Sequence, residues 1–116
     1  TWSKRFAALH GGKYPSMDQA GVYAGVIHYL KAIDAAKTDD GTKVAQKMKD
    51  LPTDDILFGK GSIRKDGRKL HPAYLFEVKK PSESKYPYDY YKLLATIPAD
   101  QAFRPLNEGD CPLVKN

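Results

Sequence analysis

The chain has 116 residues, enough for one ordinary domain and too few for two. Its 41% hydrophobic and 28% charged residues match a globular composition and exclude a disordered one. The net charge of +5 raises the question of an anionic partner, but lysines alternate with acids in every segment, as in Lys47–Asp50 and Glu77–Lys80, so no nucleic-acid partner is expected.

The first residues, Thr1 to Phe6, show no initiator Met, no signal-peptide pattern and no cap ahead of an already helical pattern. They read as a chain entered mid-helix, with an engineered start or a disordered leader as the alternative. Trp2, Phe6 and Leu9 share one stripe by their spacing, which predicts a helix from Trp2 to Leu9. Gly11-Gly12 ends it, and Lys13-Tyr14-Pro15 is an extended connector, because the residue before proline is pushed out of the helical region.

Ser16-Met17-Asp18-Gln19 has the pattern of a capping box, with Asp18 adding negative charge at the positive end of the helix dipole. The helix that follows is expected to run to about Ala36, with Lys37 in its last turn and Tyr23, Val26, Ile27, Leu30 and Ile33 as its buried stripe. Ala20, Gly21, Ala24, Gly25 and Ala32 keep its other faces thin, which lets neighbours pack closely on more than one side. This apolar stretch is broken by His28, Lys31 and Asp34, so no membrane insertion is expected.

Asp39-Asp40-Gly41 leads into a shorter helix, Thr42 to Leu51, with Val44, Met48 and Leu51 inward and Pro52 closing it. Asp55–Gly59 and Gly61–Arg64 read as short extended pieces, and Asp66-Gly67 as a hairpin turn. A strand is expected over Ala73–Lys79 with Tyr74, Phe76 and Val78 on one face. Lys80–Asp89 then reads as a polar loop, Tyr90–Ile97 as a last strand, and Pro98–Asn116 as loop and turn. Three helices beside so few strands leave the long apolar helix with too little sheet to cover it.

No catalytic constellation is evident. His10, His28 and His71 fall in different elements without metal-ligand spacing, and His28 reads as a packed or capping side chain. Asp54-Asp55 reads as a solvent-facing turn pair. Cys111, the single cysteine, has no partner within the chain; it is either a small buried or idle thiol, or one whose partner lies upstream. Tyr86, Tyr88, Tyr90 and Tyr91 cluster around Pro87, either as a loop packed by its own rings or as part of a binding groove. No enzyme activity, metal or cofactor is expected.

Several segments carry a family resemblance: Pro15–Val26, Phe58–Arg68, His71–Lys79, Phe103–Leu106 and Cys111–Leu113. In order and spacing they resemble the C-terminal region of type I periplasmic solute-binding proteins. The likeness is to the branch related to leucine/isoleucine/valine-binding proteins, nearest to relatives for aromatic or carboxylate solutes. The resemblance implies an α/β fold with two Rossmann-like lobes closing on a ligand. This chain would supply a C-terminal fragment: 1–13 ending the second lobe, 14–85 mainly in the first, and 86–116 a crossover and tail. It also implies a periplasmic protein that binds a small solute for uptake, with the membrane permease of an ABC importer and the upstream part of the same polypeptide as partners. A sensing receptor or regulator of the same fold, or a stand-alone basic nucleic-acid-binding domain, stay open as alternatives. Ligand contacts carried over from the family fall on Met17, Asp18, Gln19 and Tyr23, at the start of the long helix, where unpaired N–H groups favour anionic ligand groups. Ser16, Asp18 and Gln19 as mere caps, with Met17 as core, is the competing assignment. Asp18 stands where some relatives carry an aromatic residue, which speaks against a branched-chain amino acid as ligand.

Overall fold

A computed structural model describes residues 1–114; the last two residues of the expected tail, 115 and 116, lie outside the described range. Helix α1 covers Trp2–Leu9, and α2 covers Met17–Ala36. Two left-handed glycines, Gly11 and Gly12, separate them. The α2 boundaries agree with the sequence, except that Lys37 sits beyond the last turn, as a left-handed cap at φ 51° that donates its N–H to the Ile33 carbonyl. Helix α3 covers Gly41–Asp50, with the Asp40 carboxylate accepting from the Lys43 N–H at its start.

Strands β1 (Thr53–Asp55), β2 (Gly59–Ile63) and β3 (Lys69–Leu70) form a three-stranded antiparallel sheet in that order. The expected extended piece over Asp55–Gly59 is replaced by an earlier strand and a turn. The reason is local: the Asp55 carboxylate accepts from the N–H groups of both Leu57 and Phe58 at 2.8 Å, which bends the backbone where a strand would have run on. Asp55 is also not the solvent-facing residue its sequence position suggested. Its side chain is 4% exposed and paired to Lys69 Nζ at 2.8 Å. The Asp66-Gly67 turn joins β2 to β3 as expected, with Gly67 at φ 83°.

Strands β4 (Ala73–Val78) and β5 (Tyr91–Ile97) make a separate two-stranded ribbon. Its register skips at Leu94, since Leu75 pairs with Ala95 and Phe76 with Leu93. Between them, the loop holds a 3-10 turn at Pro81–Glu83, and the tail holds two more, at Leu106–Glu108 and Pro112–Val114.

The buried apolar set is small: Ala7, Ala24, Ala32 and Val44. Ala24, His28 and Ala32 recur every four residues and form the face by which α2 meets α3 and β1. The expected buried stripe lies elsewhere on the helix, with Val26 at 50% and Leu30 at 52% exposure. Small side chains let α3 approach closely, so the thin face takes that contact and the bulky one is left outward. The ribbon is likewise open, its residues Tyr74 to Val78 and Tyr91 to Thr96 all exposed.

Two global measures follow from this. A compact domain of this size has a radius of gyration near ~13 Å; here it is 17.3 Å. A compact monomer of this mass exposes roughly 6,300 Å²; this chain exposes 8925 Å². The chain by itself encloses little of its apolar surface.

Candidate functional site

The start of α2 is tightly built. Ser16 Oγ accepts from the Asp18 N–H at 3.2 Å, and the Ser16 N–H donates to Gln19 Oε1 at 2.8 Å, closing the capping box expected from the sequence. The Ser16 hydroxyl also donates to Gln19 Oε1 at 2.7 Å. Both lone pairs of that oxygen are therefore taken. Gln19 retains only its NH2 group for another molecule, so it is a donor there rather than the donor or acceptor that an isolated amide offers.

Beside this cap, α1 and α2 enclose an open groove of about 710 Å³. Trp2, Phe6 and Leu9 line it from α1; Val22, Val26 and Ile27 line it from α2. The Trp2 ring packs against Phe6 at 5.7 Å and against Tyr23 at 5.4 Å, which fixes the start of α1 over the second turn of α2. The polar groups of the groove are Asp18 and Gln19 from α2, with Arg5 from α1. Of the four residues singled out from the sequence, Asp18, Gln19 and Tyr23 thus share one groove. Met17 is 82% exposed and stands outside the lining. Trp2, Arg5 and Phe6 were missed as neighbours of this site. The signal for the two rings was present in the Trp2–Phe6 spacing, but nothing local says which helix that stripe faces.

The other side chains weighed in the sequence have structural placements. His28 is buried, with Nε2 at 2.8 Å from the Met48 carbonyl, which joins α2 to the end of α3. Burial pushes the Asp55 carboxyl upward, but the Lys69 ammonium and the N–H groups of Phe58 and Leu57 outweigh it and hold the group below the ordinary 3.8. Among the tyrosines, the Tyr88 ring lies tilted against Tyr14 at 4.9 Å and Tyr90 at 5.9 Å, linking the Lys80–Asp89 loop to the connector before α2. Tyr88 has φ 70°, a left-handed conformation uncommon for a bulky residue. Cys111 is half-buried and free. No group of three or more His, Cys, Asp or Glu among the described residues is arranged to hold a metal ion. No helix among them is long and apolar enough to cross a membrane.

The model of a family described as "Periplasmic binding protein" matches residues 1–85. The chain belongs to the periplasmic binding protein family. Two solved members are similar over nearly all of it. One, a periplasmic binding protein from Burkholderia mallei, is 49% identical with a TM-score of 0.92, covering 98% of this chain and 30% of its own. The other, from Burkholderia xenovorans LB400, is described as a branched chain amino acid ABC transporter periplasmic ligand-binding protein. It is 41% identical with a TM-score of 0.89, covering 97% of this chain and 30% of its own. No curated protein matches the chain. The chain thus spans about a third of the length of the periplasmic binding structures it resembles. Its mixed helix-and-strand architecture is the α/β class expected from the sequence, laid out as part of that larger fold.

Proposed function

We propose that this chain is the C-terminal part of the solute-binding component of an ABC importer, working in the bacterial periplasm and delivering a small solute to a membrane permease. The observation that carries the reading is the overlay of almost the whole chain on two much longer periplasmic binding structures, with the open surface this chain presents by itself. In this reading 1–13 ends the second lobe, 14–85 belongs mainly to the first, and 86–116 crosses back. The remaining two-thirds of a family-length polypeptide supplies the sheet against which the bulky face of α2 packs. The solute is an amino acid or an aromatic or carboxylate compound. It is held where the lobes meet, and the protein performs no chemistry on it.

Within that cleft, the start of α2 supplies the contacts. Gln19 offers two amide protons and no acceptor, which suits a carboxylate or carbonyl oxygen of the solute. Asp18 adds a negative charge that suits an ammonium and disfavours a second anion close by. Tyr23 presents ring area beside Trp2. Met17, exposed in this chain, supplies an adaptable apolar wall. Gln19→Ala removes the donors and half of the capping box together, whereas Gln19→Glu keeps an acceptor for the cap and removes the donors. In the full-length protein, both are expected to weaken solute binding by about tenfold or more, measured by calorimetry, the loss of a hydrogen bond to a charged group. Unchanged affinity in Gln19→Glu would confine Gln19 to capping.

A further inference from the structure

The loop between the two ribbon strands holds a bulky residue, Tyr88 at φ 70°, in a backbone conformation that suits glycine or asparagine. The bonds around it fix that conformation. On one side the Asp89 N–H donates to the Tyr86 carbonyl at 3.1 Å, and on the other the Tyr90 N–H donates to the carbonyl of Tyr88 itself at 3.0 Å. Asp89 is buried, its two carboxylate oxygens taken by Lys79 Nζ and the Lys85 N–H, and the Lys79 N–H reaches the Tyr90 carbonyl at 2.8 Å. A sparsely populated backbone conformation persists where its surroundings over-determine it, and such residues gather where a side chain has a task.

The Tyr88 ring is directed at Tyr14, tilted by 31° with 4.9 Å between centroids, and Tyr90 backs it at 5.9 Å. Tyr14 stands at a sensitive point of the chain. Before it come the left-handed Gly11 and Gly12, and after it Pro15, which has no N–H to donate. Two residues on, Ser16 opens the capping box of α2. Lys13 is tied back to the His10 carbonyl at 3.1 Å and Ser16 forward to Gln19 Oε1 at 2.8 Å, so Tyr14 sits between two local ties that belong to different helices. Its contact with Tyr88 adds what those ties do not give, a fixed point outside both helices.

We propose that Tyr88 is a positioning residue for the start of α2. Its ring, aimed by the braced left-handed backbone, holds Tyr14 and through it fixes where the turn Met17–Gln19 stands relative to the ribbon. The effect on a solute rests on the transport reading of that turn; the lock between Tyr88 and Tyr14 does not.

The test compares amide exchange of residues 13–20 in the full-length protein for the parent, Tyr88→Phe, Tyr88→Gly and Tyr88→Ala. Tyr88→Gly removes the ring and relieves the backbone at once, so a purely local role for Tyr88 predicts an unharmed or firmer protein. Positioning predicts instead that exchange of 13–20 rises about three- to tenfold in Tyr88→Gly and Tyr88→Ala, the range an aromatic pair supplies, while Tyr88→Phe stays within about twofold of the parent. The double variant Tyr14→Ala, Tyr88→Ala is expected to exchange no faster than the faster of its single variants. Unchanged exchange of 13–20 in Tyr88→Gly would overturn the proposal. So would a rise in Tyr88→Phe equal to that in Tyr88→Ala, or additive effects in the double variant. Calorimetric titration with L-phenylalanine and with benzoate separates the lock from the transport reading. Faster exchange with several-fold weaker affinity in Tyr88→Gly supports both. Faster exchange with unchanged affinity, for a compound that binds the parent, keeps the lock and removes Met17–Gln19 from the solute site. If Tyr88→Ala does not fold, exchange in Tyr88→Gly and Tyr88→Phe decides it.

Discussion

Asp89 shows how a single carboxylate organises a loop. It is 7% exposed, takes Lys79 Nζ on one oxygen at 2.7 Å, and accepts the Lys85 N–H on the other at 3.0 Å. The Lys79 ammonium and the Lys85 N–H hold its carboxyl below the ordinary 3.8, and Asp89 in turn holds Lys79 above the ordinary 10.5. A lowered acid contributes stability that is complete above its unfolded value and is lost as pH falls through the folded one. A raised base contributes stability below its unfolded value and loses it as pH rises through the folded one. The clasp is therefore intact across the neutral range. Asp89→Asn is expected to speed amide exchange of residues 80–89 by about tenfold at neutral pH. The difference in urea midpoint between parent and variant should close as pH falls below the ordinary 3.8. The sequence marked this stretch as a polar loop with clustered tyrosines, but a polar residue's burial depends on partners that arrive from a neighbouring strand. Asp55 reads as solvent-facing in the sequence for the same reason, its partner Lys69 being 14 positions away.

Elements were the most legible scale. All three helices lie within about a residue of where spacing placed them, α3 running Gly41–Asp50 rather than Thr42–Leu51, because a capping box and a proline stop are local devices that act within a few residues. The hairpin turn at Gly67 and the two longer strands agree as well. What periodicity did not decide is which face of α2 is used within this chain. Close approach is the deciding feature in the small sheet too. A Cβ on Gly61 would collide with the Leu70 carbonyl and lie 2.9 Å from Thr53 Oγ1. Gly61→Ala is therefore expected to destabilise the protein by about 1–3 kcal/mol, as overpacking does, with a lower denaturation midpoint by urea titration. An unchanged midpoint would mean that β2 and β3 shift apart at little cost.

At the scale of the molecule, extents of 53 × 34 × 19 Å describe a long, thin body with most of its large apolar side chains at the surface. Val22, Val26 and Leu30 of α2 and both faces of the β4–β5 ribbon are open. A two-stranded ribbon is at best marginal without something packed on it. The chain of residues 1–116 by itself is therefore expected to bind no solute tightly, since one helix terminus is a small share of an enclosing cleft. Micromolar binding of an amino acid or aromatic acid to it, seen by calorimetry, would contradict the proposed division of the site.

The capping box at Ser16–Gln19, first met as a sequence pattern, marks the boundary between what each level determines. Residue spacing alone placed the helices to within about a residue, because caps, turns and apolar stripes depend on neighbours a few residues apart. The order of motifs along the chain carried the family. Only the tertiary structure decided that both lone pairs of the Gln19 oxygen are used, that Asp18, Gln19 and Tyr23 share a groove with Trp2 while Met17 does not, and that Asp55 is buried against Lys69. Those facts depend on how elements far apart in sequence approach one another, and no local propensity encodes such an approach.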